Sequence, residues 1–200
     1  MIETEKKKNI TDLILTEYEK KCSEISDINE LLPTLLQFSR DCKIITEMGV
    51  RTVVSTWAFL ASFPEKLVCY DLCRHPNIGL VESYANNVGV DFHFTESDVL
   101  KVEIEETDML FIDTFHSAEQ LRRELFLHSG KVRKYLAFHD TTTFWEHAEP
   151  SYGIAGLNQV NCGEGLRYAI EPFLVSHPEW EVACKLENNN GLMILRKVSR

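Results

Sequence analysis

Short runs of consecutive apolar residues alternate along this chain with helix-patterned stretches, and that rhythm limits the fold more than any other feature. KIITEMG (43–49), KLVCYDL (66–72), VDFHFTES (90–97), MLFIDTFH (109–116) and KYLAFHD (134–140) each read as a strand. Strands apolar at successive positions are buried on both faces, which describes a parallel sheet covered by helices. Helical stretches are expected between them, from about Ser55, over about 77–88 and after Ser117, where Ser117 and Gln120 make a capping box. Near the end, EGLRYAIEPFL reads as a helix, and WEVACKLE and LMILRK, joined by NNNG, read as a hairpin. The expected architecture is α/β: a doubly wound, Rossmann-like, mostly parallel sheet of about seven strands with a C-terminal antiparallel hairpin.

Two segments stand outside this rhythm. Residues 1–26 are polar and highly charged, with Ile14, Leu15, Tyr18 and Cys22 on one helical stripe. They read as a helix lying against the domain of residues 27–200, or as an arm for homodimer contacts. A further helix is expected over about 28–40, with Pro33 in its first turn. The stretch from Thr141 to Asn161 has no clear period but carries Phe144, Trp145 and Tyr152. A loop that long in a compact domain is usually a lid or a substrate wall.

Charge then narrows the partners. The 200 residues include 31 acidic and 21 basic side chains, for a formal charge of −10. A nucleic-acid duplex or an anionic membrane needs a cationic surface, so neither is expected as a partner. No apolar run approaches the roughly 18 residues of a membrane span, and the opening MIETEKKKNI has no apolar signal core. A cytoplasmic location is expected. The six cysteines form no C-x-x-C pair and read as free thiols. Cys69, Cys73 and His75 lack the further ligands of a zinc site.

In a doubly wound sheet, ligands bind beyond the carboxyl ends of the strands. The first strand ends in Glu47, Gly49 and Arg51, followed by Ser55 and Thr56 at a helix start. The second ends at Asp71, which suits the two hydroxyls of an adenosine ribose. The third ends at Ser97 and Asp98, within reach of an adenine edge. Together they suggest an adenosine-type cofactor, although an acid after a strand also serves as a helix cap. The fourth strand offers Asp113 and His116, the fifth His139 and Asp140. As neighbours these two strands bring all four to one crevice. Asp113, His139 and Asp140 suit a divalent ion such as Mg²⁺ or Mn²⁺. His116 is then free as a general base near neutral pH. Phe144, Trp145 and Tyr152 either pack the long loop or stack on a sugar face.

From about residue 40 to 198 the chain resembles the class I S-adenosylmethionine-dependent methyltransferases. The resemblance lies in EMGVRTVVSTWAF as the cofactor turn, CYDL as the ribose acid, FIDTFHSAEQLRREL and AFHDTT as the active crevice, and the closing hairpin. Within that class it is most similar to the branch of cephalosporin-hydroxylase-type proteins and metal-dependent sugar O-methyltransferases. The resemblance implies O-methylation of a sugar hydroxyl in a glycan or glycosylated metabolite. It implies S-adenosylmethionine held by Glu47, Gly49, Arg51, Ser55, Thr56, Asp71, Ser97, Asp98 and Asp113, with metal on Asp113 and Asp140. His116 would take the hydroxyl proton. Arg51 and Val53 stand where that turn usually has small residues, and His139 where the sugar enzymes often have Glu. The rival readings are a nicotinamide-dependent sugar oxidoreductase, which should carry a G-x-G-x-x-G turn that this chain lacks, a metal-dependent hydrolase, and a non-catalytic S-adenosylmethionine-binding module.

Overall fold

The computed structural model describes residues 2–150 and 163–198. Its seven strands are β1 (Ile44–Met48), β2 (Lys66–Asp71), β3 (Asp91–Glu96), β4 (Thr107–Ile112), β5 (Val132–His139), β6 (Trp180–Leu186) and β7 (Leu192–Lys197). They form one sheet in the order β3-β2-β1-β4-β5-β7-β6. The pairs among β1 to β5 are parallel, and β7 is antiparallel to both β5 and β6. Strand order reverses between β1 and β4, so the crevice beyond their carboxyl ends is the switch point where such sheets take ligands.

Among the described residues, six α-helices accompany the sheet: α1 (Ile2–Ser23), α2 (Leu32–Ser39), α3 (Ser55–Leu60), α4 (Ile78–Val88), α5 (Ala118–His128) and α6 (Arg167–Ser176). Side-chain alternation along the strands builds two cores. Ile45, Leu67 and Phe111 pack with Ile14, Leu35, Phe59 and Val81 of the first four helices. Met48, Leu110, Ile112 and Phe138 pack with Leu121, Leu125 and Ile170 of α5 and α6. Every residue of β4 is buried, as a central strand sandwiched between helices requires. Fully burying each of its apolar side chains, Met109 to Ile112, stabilises the fold by about 1.5–3 kcal/mol.

The N-terminal helix packs on the rest of the chain. It lies against α3 and α4, and Ile14 is wholly buried there. Of the stripe Ile14, Leu15, Tyr18 and Cys22, Ile14 is therefore already covered, while Leu15 stays exposed. The rhythm misleads at one place. No helix joins β3 to β4; the link is a 3-10 turn, Val99–Lys101, and an extended stretch. Only ten residues separate the two strands, and Val102 and Ile104 alternate with acids as an extended segment does.

Candidate functional site

The site starts at the turn after β1. Gly49 has φ +86, and a Cβ there would lie 1.8 Å from the carbonyl oxygen of Asp113. Only glycine allows this turn to press against the end of β4. The Asp71 carboxylate fixes the turn, accepting from the amides of Val50 (2.7 Å) and Arg51 (2.8 Å). Arg51 and Val53 keep positive φ values, 48° and 67°, so the backbone holds a glycine-like path under larger side chains. The Val53 side chain is buried in the core, and Arg51 reaches out to an ion pair with Asp27.

Glu47 shares the β1 face of Ile45, turned towards α3. It is wholly buried and accepts from Ser55 Oγ (2.5 Å), Thr56 Oγ1 (2.7 Å) and the Cys69 thiol (3.2 Å). Burial pushes its pKa up to about 7, against the pull of these hydrogen bonds. Three expected cofactor contacts thus bond to one another inside the protein. Asp98 caps the 3-10 turn, accepting from the Leu100 amide at 3.0 Å, and pairs with Lys101 at 3.1 Å. Ser97 continues the β2–β3 ladder, its amide donating to the Asp71 carbonyl.

Asp113, His116, His139 and Asp140 do converge. The Asp113 amide donates to the Met48 carbonyl, tying the end of β4 to β1. His116 Nε2 lies 3.1 Å from both Asp113 Oδ1 and Asp140 Oδ2. His139 Nδ1 lies 3.2 Å from Asp113 Oδ1 and 3.4 Å from Asp140 Oδ2. Burial lowers the pKa of each ring, but the hydrogen bonds and negative charge outweigh it. His116 rises to about 9 and His139 to about 10. Burial would raise Asp113, yet the two imidazoles hold its carboxyl well below the usual range.

The residues present fit a divalent cation. One ligand atom each from Asp113, His139 and Asp140 lies within 4.8 Å of the others. Asp140 Oδ1 is buried and has no partner among the described residues. His139 Nε2 faces two carbonyls, of Asp27 (3.1 Å) and Asn189 (3.3 Å). Carbonyls only accept, so Nε2 carries a proton that they hold, and Nδ1 is the nitrogen left to face the carboxylates or a cation between them. Backbone support of this kind is the usual outer shell of a metal-bound histidine.

Four residues of this site escape a reading of the sequence. Glu149 Oε2 lies 3.0 Å from His116 Nδ1, and the Glu149 amide donates to the His116 carbonyl at 2.8 Å. The carboxylate fixes the ring with Nε2 towards the two aspartates. Asp27 and Asn189 hold His139. Glu124 accepts a hydrogen bond from the Thr114 hydroxyl, next to Asp113 in the chain. Asn188–Asn190 is visible as a turn in the sequence, but not its grip: Asn188 holds Glu30, Asn189 holds Ser26 and Glu30, and Asn190 holds Thr142 and Thr143.

The expected aromatic wall is partly engaged. Phe144 stacks on His116, with centroids 5.0 Å apart. Lys185 lies over Trp145, and Tyr152 lies outside the described residues. Gly165 seats this loop against α6: a Cβ there would come 2.4 Å from the carbonyl oxygens of Phe144 and Trp145. Those carbonyls accept from the amides of Leu166 and Arg167, partners that the start of α6 would otherwise lack.

No family model and no curated protein matches the sequence. Solved structures do. An O-methyltransferase from Bacillus cereus, in complex with S-adenosylhomocysteine, superposes with a TM-score of 0.62 over 94% of this chain and 90% of its own, at 11% identity. An S-adenosylhomocysteine-bound methyltransferase from Podospora anserina gives 0.59 over 94% and 88%, at 16% identity. The O-methyltransferase TomG from Streptomyces achromogenes, involved in tomaymycin synthesis and in complex with S-adenosylmethionine, gives 0.58 over 88% and 82%, at 14% identity. The chain has the class I methyltransferase fold. In that methyltransferase fold, Asp113, His116, His139 and Asp140 stand where the sheet opens to ligands. Glu47, Ser55 and Thr56 are instead bonded to one another between β1 and α3.

Proposed function

We propose that the chain is an S-adenosylmethionine-dependent O-methyltransferase that methylates a sugar hydroxyl with the help of a divalent cation. One observation carries this reading: at the carboxyl ends of β4 and β5, two carboxylates and a tautomer-fixed imidazole face one point, and a second imidazole stands 3.1 Å from both carboxylates. The same fold in O-methyltransferases that bind S-adenosylmethionine or S-adenosylhomocysteine supports the choice of donor.

The chemistry asks for alignment and for removal of one proton. Bound S-adenosylmethionine would supply a methyl group already activated by its sulfonium, so the protein must chiefly orient the acceptor oxygen. Asp113, His139 and Asp140 would hold Mg²⁺ or Mn²⁺, which makes an adjacent hydroxyl more acidic. His116 is the general base. Glu149 holds its Nδ1–H and Phe144 braces the ring face, leaving Nε2 to accept the hydroxyl proton. The aspartates that keep His116 protonated would share their charge with the cation, which frees the ring for that task. Gly49, Arg51 and Asp71 form the turn over the cofactor's methionine and ribose, with Ser97 and Asp98 at the adenine side. Trp145 and Tyr152 would border the sugar.

Titration calorimetry with S-adenosylhomocysteine, with and without Mn²⁺, tests the donor and the cation. Transfer of labelled methyl groups to a panel of sugars and catechols then tests the acceptor. Binding of NADH in place of S-adenosylhomocysteine would overturn the reading in favour of an oxidoreductase. Binding without transfer to any sugar would leave a binding module or another acceptor.

A further inference from the structure

Glu124 is wholly buried on the inner side of α5, and methyl transfer as proposed gives it no task. Its Oε1 accepts from the Thr114 hydroxyl (2.6 Å) and from the Gln120 amide (2.8 Å). Its Oε2 has no partner among the described residues, and neither has Gln120 Oε1. A buried carboxyl with one oxygen unmatched lowers stability, so the fold alone would favour an amide here. Groups that a protein keeps against its stability are commonly kept for a site.

What Glu124 grips is informative. Thr114 stands between Asp113 and His116, in the turn that places one carboxylate and one imidazole of the site. The start of α5 is fixed to that turn as well, since Ser117 Oγ accepts from the Gln120 amide nitrogen at 3.2 Å. Gln120 does not return its side chain to Ser117, as a full capping box would; it turns inward to Glu124. Thr114, Glu124, His116 and His139 also border one small hollow of about 10 Å³. The clamp and both imidazoles therefore share a boundary.

We propose that Glu124 is a positioning residue: through Thr114 it holds the Asp113–His116 turn in the geometry that cation binding and proton removal require. The proposal rests on the metal reading for its functional consequence but not for the clamp itself. Three variants of the full chain test it: Glu124→Leu removes the acceptor, Thr114→Val removes only the hydroxyl, and Glu124→Gln keeps an acceptor. Glu124→Leu and Thr114→Val should each weaken Mn²⁺ binding by about 10-fold in calorimetry, as outer-shell losses do. The double variant should be no worse than Glu124→Leu alone, because both changes break the Glu124–Thr114 contact. Glu124→Gln should restore near-native Mn²⁺ affinity. Urea unfolding should find Glu124→Gln at least as stable as the natural protein.

In metal-free protein, hydrogen exchange of the 113–117 amides should quicken in Glu124→Leu and Thr114→Val, with β1 and β2 unchanged. Unchanged exchange overturns the clamp. So does a Glu124→Leu protein that loses stability and Mn²⁺ affinity together while Thr114→Val loses neither. If the natural protein binds no Mn²⁺, the metal reading fails by itself, and the exchange measurement still decides the clamp.

Discussion

Replacing Glu47 by Gln should remove a pH dependence from folding stability. The carboxyl is wholly buried, and its pKa is pushed from 4.5 to about 7, first by burial, against hydrogen bonds from Ser55, Thr56 and Cys69. Below pH 4.5 the group is protonated in folded and unfolded chains alike, and it imposes no penalty. Between 4.5 and about 7 the unfolded chain ionises while the folded one keeps its proton, so stability falls as pH rises. Above about 7 both forms are ionised and the loss is complete. At roughly 1.4 kcal/mol per pH unit, a rise from 4.5 to about 7 amounts to about 3 kcal/mol. Glutamine is nearly isosteric with the protonated acid and does not titrate; the two hydroxyls can turn to meet its amide. Urea unfolding at pH 4.5 should find the variant and the natural protein about equal. At pH 8 the variant should be the more stable by about 3 kcal/mol. An unchanged difference between the two proteins at the two pH values would refute the argument that this carboxyl is held neutral.

His116→Ala should cut turnover at least 100-fold (about 10²) while S-adenosylhomocysteine binds as before; a variant that no longer binds it in calorimetry would remove the base from the mechanism. EDTA should suppress methyl transfer and Mn²⁺ or Mg²⁺ restore it, whereas full activity in chelator would take the cation out of the account. Gly49→Ala should cost about 3 kcal/mol in urea unfolding, from the left-handed backbone and from a Cβ placed 1.8 Å from the Asp113 carbonyl oxygen. Native stability in that variant would mean the turn is looser than its geometry indicates.

Much of this molecule follows from patterns only a few residues long. Apolar runs such as MLFID mark strands buried on both faces, and β4 is buried along its whole length. The Ser117 cap and the closing hairpin are equally local signals. The convergence of Asp113, His116, His139 and Asp140 follows from one topological rule, that β4 and β5 are parallel neighbours. The same reasoning places Glu47 and Asp98 at strand ends and Ser55 and Thr56 at a helix start, but not the direction they face. Glu47 lies on the Ile45 side of β1, where α3 brings two hydroxyls to it, and Asp98 caps the turn that stands where a helix was expected.

The order of strands and helices, the loop-borne aromatics and the acids and imidazoles at two strand ends were therefore written in the chain itself, because each depends on neighbours a few positions away. The tertiary structure decided which polar atoms are already satisfied. His116 meets Glu149 across 33 positions, and His139 meets Asn189 across 50 and Asp27 across 112. A side chain's tautomer, charge and free lone pairs are set by whatever packs against it, and partners so distant leave no trace in local periodicity.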